Sequence, residues 1–380
     1  MSNGDVRMSD AAKPPEPTSG GAPVRLLVLP GDGIGPEISA ATVAVVREAG
    51  RLLDLPFAFG EAEIGFAALE ASGTTFPEAV FEAARAADGV VLGPVSHNDY
   101  PPADKGGLNP SGQLRKRLDL YANIRPARSR PGFPPRCGKP LDLVIMRENT
   151  EGFYADRSMH LGPGEIMPTP DLAISFRKVT RAASLRIAES AFALAGRRRK
   201  KVTAVHKANV LRISDGLFLD CVRQVAARHP DVAYDEKIID AMAALLVRDA
   251  GVFDVVVTTN MFGDILSDQA AEISGSLGLA ASLNAGAEHA VAQAQHGSAP
   301  DIAGRDLANP SSLIGSAAML LGWLGERRGD GRLLRAATLI EEALDRTIQS
   351  PEGRTADLGG PLGTRAFTGK VIETMAALRA

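Results

Sequence analysis

The sequence predicts an α/β protein built on a largely parallel sheet. Two observations lead to this prediction: short apolar runs alternate with longer segments of helical period, and the apolar runs end in glycine, proline, asparagine or a charged residue. This alternation is typical of strands joined by crossover helices. Ligands bind at the carboxyl ends of such strands, which is where the polar motifs of this chain lie.

The individual elements follow from these patterns. Five apolar runs are predicted to be buried strands: VRLLVLPGDG, ADGVVLGPV, LDLVIMREN, KVTAVHKAN and FDVVVTTN. Between them, four segments of helical period are predicted helices: PEISAATVAVVREAGRLL, RAASLRIAESAFALAG, GLFLDCVRQVAARH and DAMAALLVRD.

Composition limits the classes of function. The chain has 380 residues, of which 45% are hydrophobic and 23% charged, as in ordinary globular proteins with room for two domains. Its net charge of −3 provides no overall basic field for nucleic acid or anionic membranes, so a small-molecule substrate is expected. The basic run GRRRKK, which ends at Lys201, is predicted to be a solvated loop.

Membrane and export signals are not found. No uncharged apolar run reaches the ~20 residues needed to cross a bilayer, and LIGSAAMLLGWLG from Leu313 is predicted to be a buried helix. Residues 1–23 lack the apolar core of a signal peptide and are expected to form a disordered tail of a cytoplasmic protein. Cys137 and Cys221 form no CxxC pair, so they indicate neither a zinc site nor a disulfide framework.

The motif PGDGIGPE, which begins at Pro30, follows the first predicted strand. It fits only part of the G-x-G-x-x-G fingerprint of Rossmann folds, because Pro36 stands at the last glycine position. Proline is favoured in the first turn of a helix, so the motif predicts a strand-to-helix turn rather than a Rossmann dinucleotide site.

The stretch NMFGDILSD carries Asp264 and Asp268 four residues apart. On a helix the two carboxylates share one face and repel each other, so a positive group is expected beside them. Asp240, in KIIDAMA, is interpreted as the end of a further strand, and the three carboxylates can converge if the two strands are neighbours. Carboxylate oxygens are ligands for Mg²⁺ or Mn²⁺. The alternative is that these acids complement helix dipoles.

Basic residues form a second group. Arg115, Arg125 and Arg147 are interpreted as strand-end arginines, whose planar guanidinium groups suit a substrate with more than one carboxylate; surface salt bridges are the alternative. Lys207 also follows a strand, and nearby cations could lower its pKa enough for it to act as a base. Tyr154 is a candidate proton donor, with simple packing as the alternative.

Taken together, GDGIGPE, LRKRLDLYANIRP, MRENTEGFY, VHKANV, DAMA, NMFGDILSD and HGSAPDIAG followed by ANP resemble the β-decarboxylating dehydrogenases in motif and order. This family contains the isocitrate, 3-isopropylmalate, homoisocitrate and tartrate dehydrogenases. The resemblance extends from Val24 to the C-terminus. It implies an isopropylmalate dehydrogenase-like two-domain fold with a central, largely parallel sheet, which is not a Rossmann fold.

The resemblance also implies a domain organisation. Residues 24–121 and 275–380 would form the cofactor-binding domain, and 122–274 a middle domain with the dimer interface and an arm within 155–178. The implied assembly is a homodimer with shared active sites, to which Lys207 and Asp240 come from the partner subunit.

The implied activity is metal-dependent, NAD-linked oxidative decarboxylation of a (2R)-2-hydroxy-3-carboxylate. The implied Mg²⁺ or Mn²⁺ ligands are Asp240, Asp264 and Asp268. The implied catalytic residues are Lys207, which removes the hydroxyl proton, Tyr154, which protonates the enol, and Asp240. The implied substrate-binding residues are Ser111, Arg115, Arg125, Arg147 and Asn209. The implied cofactor-binding residues are His296, Gly297, Ala299, Asp301, Ile302 and Asn309.

NAD is expected rather than NADP. Asp301 can accept hydrogen bonds from the adenosine ribose hydroxyls, its charge would repel a 2′-phosphate, and Ile302 offers no donor. Many members of the family have a glutamate where this chain has Gln293.

Ser111 and Asn109 bear on the choice of substrate, because isopropylmalate-type members have an apolar residue at position 111. Facing an isopropyl group, an unpaired hydroxyl or amide would cost about 1–3 kcal/mol. This favours isocitrate or homoisocitrate over 3-isopropylmalate, with tartrate and D-malate as further alternatives. A non-catalytic regulatory subunit is the alternative of a different class, but Tyr154, Lys207 and the three aspartates favour an enzyme.

Overall fold

The computed structural model describes residues 22–154, 159 and 164–379. The strands are β1 Val24–Leu29, β2 Phe57–Glu61, β3 Gly89–Leu92, β4 Ala122–Arg128, β5 Asp142–Glu148, β6 Glu165–Thr169, β7 Leu172–Ser175, β8 Lys201–His206, β9 Ala233–Ile238, β10 Val255–Thr258, β11 Leu283–Ala285 and β12 Ala290–Gln293. The α-helices are α1 Gly35–Leu52, α2 Gly65–Ser72, α3 Glu78–Ala86, α4 Pro110–Arg117, α5 Arg181–Gly196, α6 Ser214–Ala226, α7 Ile239–Asp249, α8 Asn260–Ser274, α9 Ser311–Arg328, α10 Gly331–Gln349 and α11 Thr364–Arg379. The predicted α/β class is confirmed, and all predicted strands and helices are present.

The chain divides into two compact units. The first extends through Leu114 and also contains Gly278–Leu283 and the residues from His289 onward. The second contains Arg115–Leu277 and Asn284–Glu288. The predicted division placed the boundaries after residues 121 and 274. The second unit instead begins within α4 and ends at Leu277, and it also includes Asn284–Glu288, which contains the last two residues of β11.

The first unit contains four parallel strands in the order β2-β1-β3-β12. Leu26, Leu27 and Val28 are buried on β1. Helix α9 packs on β3 and β12, and it is buried along most of its length, as predicted for the apolar segment from Leu313.

The second unit contains the strand order β4-β5-β10-β8-β9. Strand β4 is antiparallel to β5, whereas β5, β10, β8 and β9 run parallel and therefore have their carboxyl ends at the same edge. Side chains alternate between the two faces of a strand, so each strand contributes to two cores. Val144 and Met146 pack with helices α5 and α6, whereas Leu143 and Ile145 pack with α7 and α8.

Two predictions concern segments that the structure describes only in part. The predicted disordered tail lies outside the described residues except for residues 22 and 23. In the predicted arm, 155–178, residues 155–158 and 160–163 lie outside the described residues, and β6 and β7 form an antiparallel pair that is exposed along both strands. Among the described residues, no helix combines the length and apolar character needed to span a membrane.

Candidate active site

Arg147 and helix α8 form the centre of the candidate site. Arg147 lies near the carboxyl end of β5, on the face covered by α7 and α8 because it follows Leu143 and Ile145 in the alternation. Its Nε and Nη2 donate to Asn260 Oδ1 at 3.0 and 2.6 Å, and its Nη1 donates to Asp264 Oδ1. A Cβ at Gly263 would lie 2.6 Å from Cβ and Cγ of Arg147, so glycine is required for this close packing.

Arg125 provides the positive group that the two helical aspartates were predicted to need. Its Nη1 donates to Asp264 Oδ1 at 3.2 Å, to Asp268 Oδ1 at 3.3 Å and to Ser267 Oγ at 2.7 Å. The guanidinium thus bridges the two carboxylates on one face of α8. We call Arg125, Arg147, Tyr154, Asp264 and Asp268 the carboxyl-edge cluster.

Two like charges, the guanidinium groups of Arg125 and Arg147, lie close together in this cluster. Burial, and then the charge of Arg147, lower the pKa of Arg125 to about 10, while Asp264 and Asp268 act in the opposite direction. Burial alone would raise the pKa of Asp264, but Arg147 and Arg125 outweigh burial and hold this pKa below its ordinary value. The carboxylates stay partly accessible, with 35% of the Asp264 side chain and 55% of the Asp268 side chain exposed.

Tyr154 joins the cluster through its hydroxyl group, which donates to Asp264 Oδ2 at 3.1 Å. The guanidinium carbon of Arg147 lies 5.7 Å from the centre of the tyrosine ring. The phenol therefore lies against both charge types, where a proton donor to a bound anion could act.

The interpretation of three strand-end arginines is wrong for two of them. Arg115 lies in the last turn of α4, and Arg125 lies in the middle of the antiparallel strand β4. Strand β4 was not predicted, because its alternation of apolar residues is interrupted by Arg125 and Pro126. Both residues nevertheless belong to the second unit, and the charge of Arg115 also acts to lower the pKa of Asp264.

Lys207 and Asp240 form a separate pair. Lys207 Nζ donates to Asp240 Oδ1, and this contact lowers the pKa of the exposed Asp240 carboxyl. The three aspartates were predicted to converge if the strands before them are neighbours. Within one chain they are not, because β8 lies between β9, which precedes Asp240, and β10, which precedes Asp264. The described residues contain no group of three or more metal-ligating side chains placed to hold an ion. Asn209 is exposed beside Lys207.

Four residues that contact these groups were not identified by the sequence analysis: Asn260, Ser267, Arg177 and Asp215. Asn260 and Ser267 lie on the predicted aspartate helix, so their spacing relative to Asp264 could have indicated them. Arg177 and Asp215 contact each other across 38 positions of sequence, and no local pattern indicates that contact.

The loop after β12 carries the predicted cofactor residues. His296 Nδ1 lies 3.0 Å from the carbonyl oxygen of Gly297, which can only accept, so Nδ1 carries the hydrogen and Nε2 is an acceptor. Nε2 is buried without a hydrogen-bond partner among the described residues. Burial lowers the pKa of the His296 ring, although Gly297 and Asp357 oppose this effect.

The remaining predicted cofactor residues follow in the same loop. Ala299 has a left-handed backbone with φ of 37°, which is unusual for a residue other than glycine. Asp301 is exposed and Ile302 is half-buried. Asn309 donates to Asp357 Oδ2 at 3.0 Å and accepts from the Ser311 amide at 3.0 Å, so its side chain anchors the start of α9.

The GDGIGPE motif holds this loop in place. Ile34 N–H donates to the Ser298 carbonyl at 2.8 Å, and a Cβ at Gly33 would lie 2.0 Å from that oxygen. The buried Asp32 carboxylate accepts from the Phe66 and Ser96 amides and from the Tyr100 hydroxyl. The turn predicted from the sequence therefore has a structural role, which is to support the loop of the predicted cofactor residues.

The pairing of Ser111 overturns one step of the substrate argument. Its hydroxyl donates to Gln293 Oε1 at 3.0 Å, and Asn109 Oδ1 accepts from the Gly112 amide at 3.1 Å at the start of α4. The Ser111 hydroxyl and the Asn109 oxygen are paired within the chain, so an apolar substituent would not leave these two atoms unpaired. The argument against 3-isopropylmalate from unpaired polar groups is therefore wrong.

Comparison with known proteins places this arrangement in a family. A family model described as isocitrate/isopropylmalate dehydrogenase matches residues 25–375. An isocitrate/homoisocitrate dehydrogenase of Thermus thermophilus is 43% identical over 93% of this chain and 99% of that protein. A 3-isopropylmalate dehydrogenase of Archaeoglobus fulgidus is 41% identical over 92% of this chain and 99% of that protein. The crystal structure of isocitrate dehydrogenase from Methylococcus capsulatus superposes with a TM-score of 0.82 at 39% identity, covering 92% of this chain and 99% of that one.

Proposed function

Because the chain belongs to the isocitrate/isopropylmalate dehydrogenase family and is an NAD-dependent decarboxylating dehydrogenase, we propose that its substrate is a malate-type 2-hydroxy acid, with isocitrate or homoisocitrate favoured. The observation that carries this proposal is the carboxyl-edge cluster, in which two buried guanidinium groups and a phenol face two partly exposed carboxylates. Such a cluster can bind a substrate that is itself a multiple anion.

The chain's own residues supply binding and proton transfer. Arg125 and Arg147 bind the carboxylates of the acid, and Tyr154 donates a proton to the enol carbon after decarboxylation. Lys207 accepts the proton of the 2-hydroxyl group. The nicotinamide ring, when bound, supplies the hydride acceptor.

A divalent cation fits the donor set. Asp264 and Asp268 offer oxygen ligands one helical turn apart, which suits Mg²⁺ or Mn²⁺. When bound, the cation supplies electrostatic stabilisation for charge that develops on substrate oxygens. We propose that the third carboxylate, Asp240, and the base Lys207 come from the second copy of a homodimer. Two features support this assignment: Asp240 follows β9, which β8 separates from the strand before α8, and Lys207 pairs with Asp240.

Asp301 and the buried Nε2 atom of the half-buried His296 support NAD as the dinucleotide. The unpartnered Nε2 acceptor fits the exocyclic amine of adenine, and Asp301 can accept from ribose hydroxyls. We expect kcat/KM for NAD to exceed that for NADP by at least about tenfold, and Asp301→Asn to narrow the ratio. A kcat/KM for NADP equal to or above that for NAD in the wild type would contradict the assignment.

The substrate is tested by NADH release with Mn²⁺ over isocitrate, homoisocitrate, 3-isopropylmalate, D-malate and tartrate. The relative from T. thermophilus named for isocitrate and homoisocitrate supports those two acids. The A. fulgidus relative supports 3-isopropylmalate as the second candidate, and the pairing of the Ser111 hydroxyl removes one argument against that acid. A kcat/KM about tenfold higher for 3-isopropylmalate than for every polar acid would reverse the preference.

Lys207→Met tests the base. We expect kcat to fall about 10²- to 10⁴-fold, the range for loss of a positioned proton acceptor, while the fluorescence-measured Kd of the acid changes little. An equal loss in Kd would assign Lys207 to binding instead. Removal of the cation with a chelator is expected to stop NADH release, and adding Mn²⁺ to restore it.

A further inference from the structure

Arg177 and Asp215 form a buried ion pair that neither the proposed chemistry nor the motifs account for. Asp215 is fully buried, and 8% of the Arg177 side chain is exposed. Arg177 Nη1 donates to Asp215 Oδ1 and to Ser214 Oγ at 3.0 Å. Burying two charges is costly, and a pair of this kind persists where its geometry satisfies further groups.

One side of the pair holds the predicted base. Asp215 Oδ2 accepts the backbone N–H of Lys207, the first residue after strand β8. The same short loop is closed by Val210 and Leu211, whose N–H groups donate to the Lys207 carbonyl at 3.0 and 2.8 Å. Asp215 therefore fixes the point from which the Lys207 side chain extends toward Asp240.

The other side of the pair holds the carboxyl-edge cluster. Arg177 Nη2 donates to Thr259 Oγ1 at 2.9 Å, immediately before helix α8 begins at Asn260. The Arg177 guanidinium carbon also lies 5.3 Å from the ring centre of Phe262 and 5.8 Å from that of Phe153. Phe262 is on the helix of Asp264, and Phe153 is adjacent to Tyr154.

We propose that Arg177 and Asp215 are positioning residues that hold the Lys207 loop and the start of α8 in one arrangement. This inference rests on the proposed function, because it assigns both held elements to catalysis. In the proposed homodimer, the ion pair joins the groups that a chain contributes to its own site with those it contributes to its partner's site. Both sites then depend on a contact that touches neither substrate nor cofactor.

Asp215→Asn and Arg177→Lys test the proposal, with Asp254→Asn as the matched control. Asp254 is also buried and paired with arginine, but it lies at the amino end of β10, away from Lys207 and α8. Arg177→Lys keeps the charge but loses the planar fork that reaches Ser214, Asp215 and Thr259 together. We expect kcat to fall at least about tenfold in both test variants, because small displacements of reacting groups have large effects on rate.

The KM for NAD is expected to stay within about twofold of the wild-type value, since the cofactor loop belongs to the other unit. The control should keep the wild-type kcat. If Asp215→Asn and Arg177→Lys retain a kcat within about twofold of the control, the proposal is wrong. If Asp215→Asn does not fold, the kcat of Arg177→Lys alone tests the proposal.

Hydrogen–deuterium exchange gives a readout that does not require activity. Asp215→Asn should accelerate exchange in peptides covering 207–211 and 258–264, whereas Asp254→Asn should accelerate exchange around 197–202. A wild-type protein that releases no NADH with any acid in the panel would refute the proposed function, and the exchange data would then decide the positioning role. Unchanged exchange at both segments in Asp215→Asn would overturn that role.

Discussion

Buried charged groups are paired differently at the two edges of the parallel strands in the second unit. At the amino edge, Asp254 accepts from Arg198 Nε at 2.9 Å, from the Arg199 amide at 2.9 Å and from the Lys201 amide at 3.4 Å, and it is 1% exposed. At the carboxyl edge, Arg125 and Arg147 are buried beside each other, and their carboxylate partners remain partly exposed.

We interpret this difference as one between charges that stabilise the fold and charges that are proposed to bind a ligand. At the amino edge, backbone donors and arginine together satisfy one carboxylate, and nothing is left over for a ligand. At the carboxyl edge, like charges are crowded and acceptors remain accessible, an arrangement that destabilises the chain by itself and is typical of sites that bind ions. The basic run at 196–201 is an exposed turn over most of its length, as predicted, and it also binds Asp254.

The largest expected effect comes from Asp264→Asn at the carboxyl edge. Loss of one proposed metal-ligating carboxylate would remove several kcal/mol of transition-state stabilisation, so kcat with Mn²⁺ should fall by about a thousandfold. Asparagine keeps the volume and one acceptor for Arg147, which limits unfolding. NADH release and Mn²⁺ titration by calorimetry measure the loss. An Asp264→Asn variant with near wild-type kcat and Mn²⁺ affinity would contradict the proposal that the carboxyl edge, unlike the amino edge, binds a ligand.

Asp254→Asn at the amino edge should have the opposite profile. Removing the Asp254 charge weakens the charge-assisted hydrogen bonds from Arg198 and from the Arg199 and Lys201 amides, at a cost of about 1–3 kcal/mol. Urea denaturation should therefore show a lower midpoint at unchanged slope, while kcat stays at the wild-type value. A fall in kcat as large as that of Asp264→Asn would mean that the amino edge also shapes the site.

The smallest expected effect is on pH dependence at His206, which ends β8 just before Lys207. Burial lowers the pKa of His206 below its ordinary value, against the opposing charges of Glu236 and Asp215, and Nδ1 accepts the Ala208 N–H at 3.0 Å. The unfolded chain therefore binds this proton at a higher pH than the folded chain. The resulting stability is complete above the ordinary pKa and is lost as pH falls toward the folded value.

We expect the free energy of unfolding of the wild type to decrease on acidification from pH about 7 through the histidine range, and His206→Gln to show a shallower decrease. Urea denaturation at a series of pH values measures both slopes. Identical slopes of unfolding free energy against pH for the wild type and His206→Gln would contradict the prediction. They would show that His206 has the same pKa in the folded and unfolded chains.

Much of the fold could be predicted from local pattern. The helix RAASLRIAESAFALAG coincides with Arg181–Gly196, and each predicted strand contains an observed one. Strand β4 was missed because Arg125 and Pro126 interrupt its apolar alternation, and its pairing with β5 compensates for that weakness. Part of the site could also be predicted from the sequence. The spacing of Asp264 and Asp268 predicted a positive group beside them, and that group is Arg125.

The sequence by itself determined the α/β class, the family motifs and the faces on which Arg147 and the α8 aspartates lie, because periodicity and spacing encode these features locally. Only the tertiary structure decided which strands are neighbours, and hence that Asp240 pairs with Lys207 rather than with the α8 aspartates. It also decided that Ser111 is paired with Gln293 and that Asp215 holds Lys207 through a contact with Arg177. Most of these contacts join residues distant in sequence, and their formation depends on chain topology and burial rather than on the local pattern around either residue.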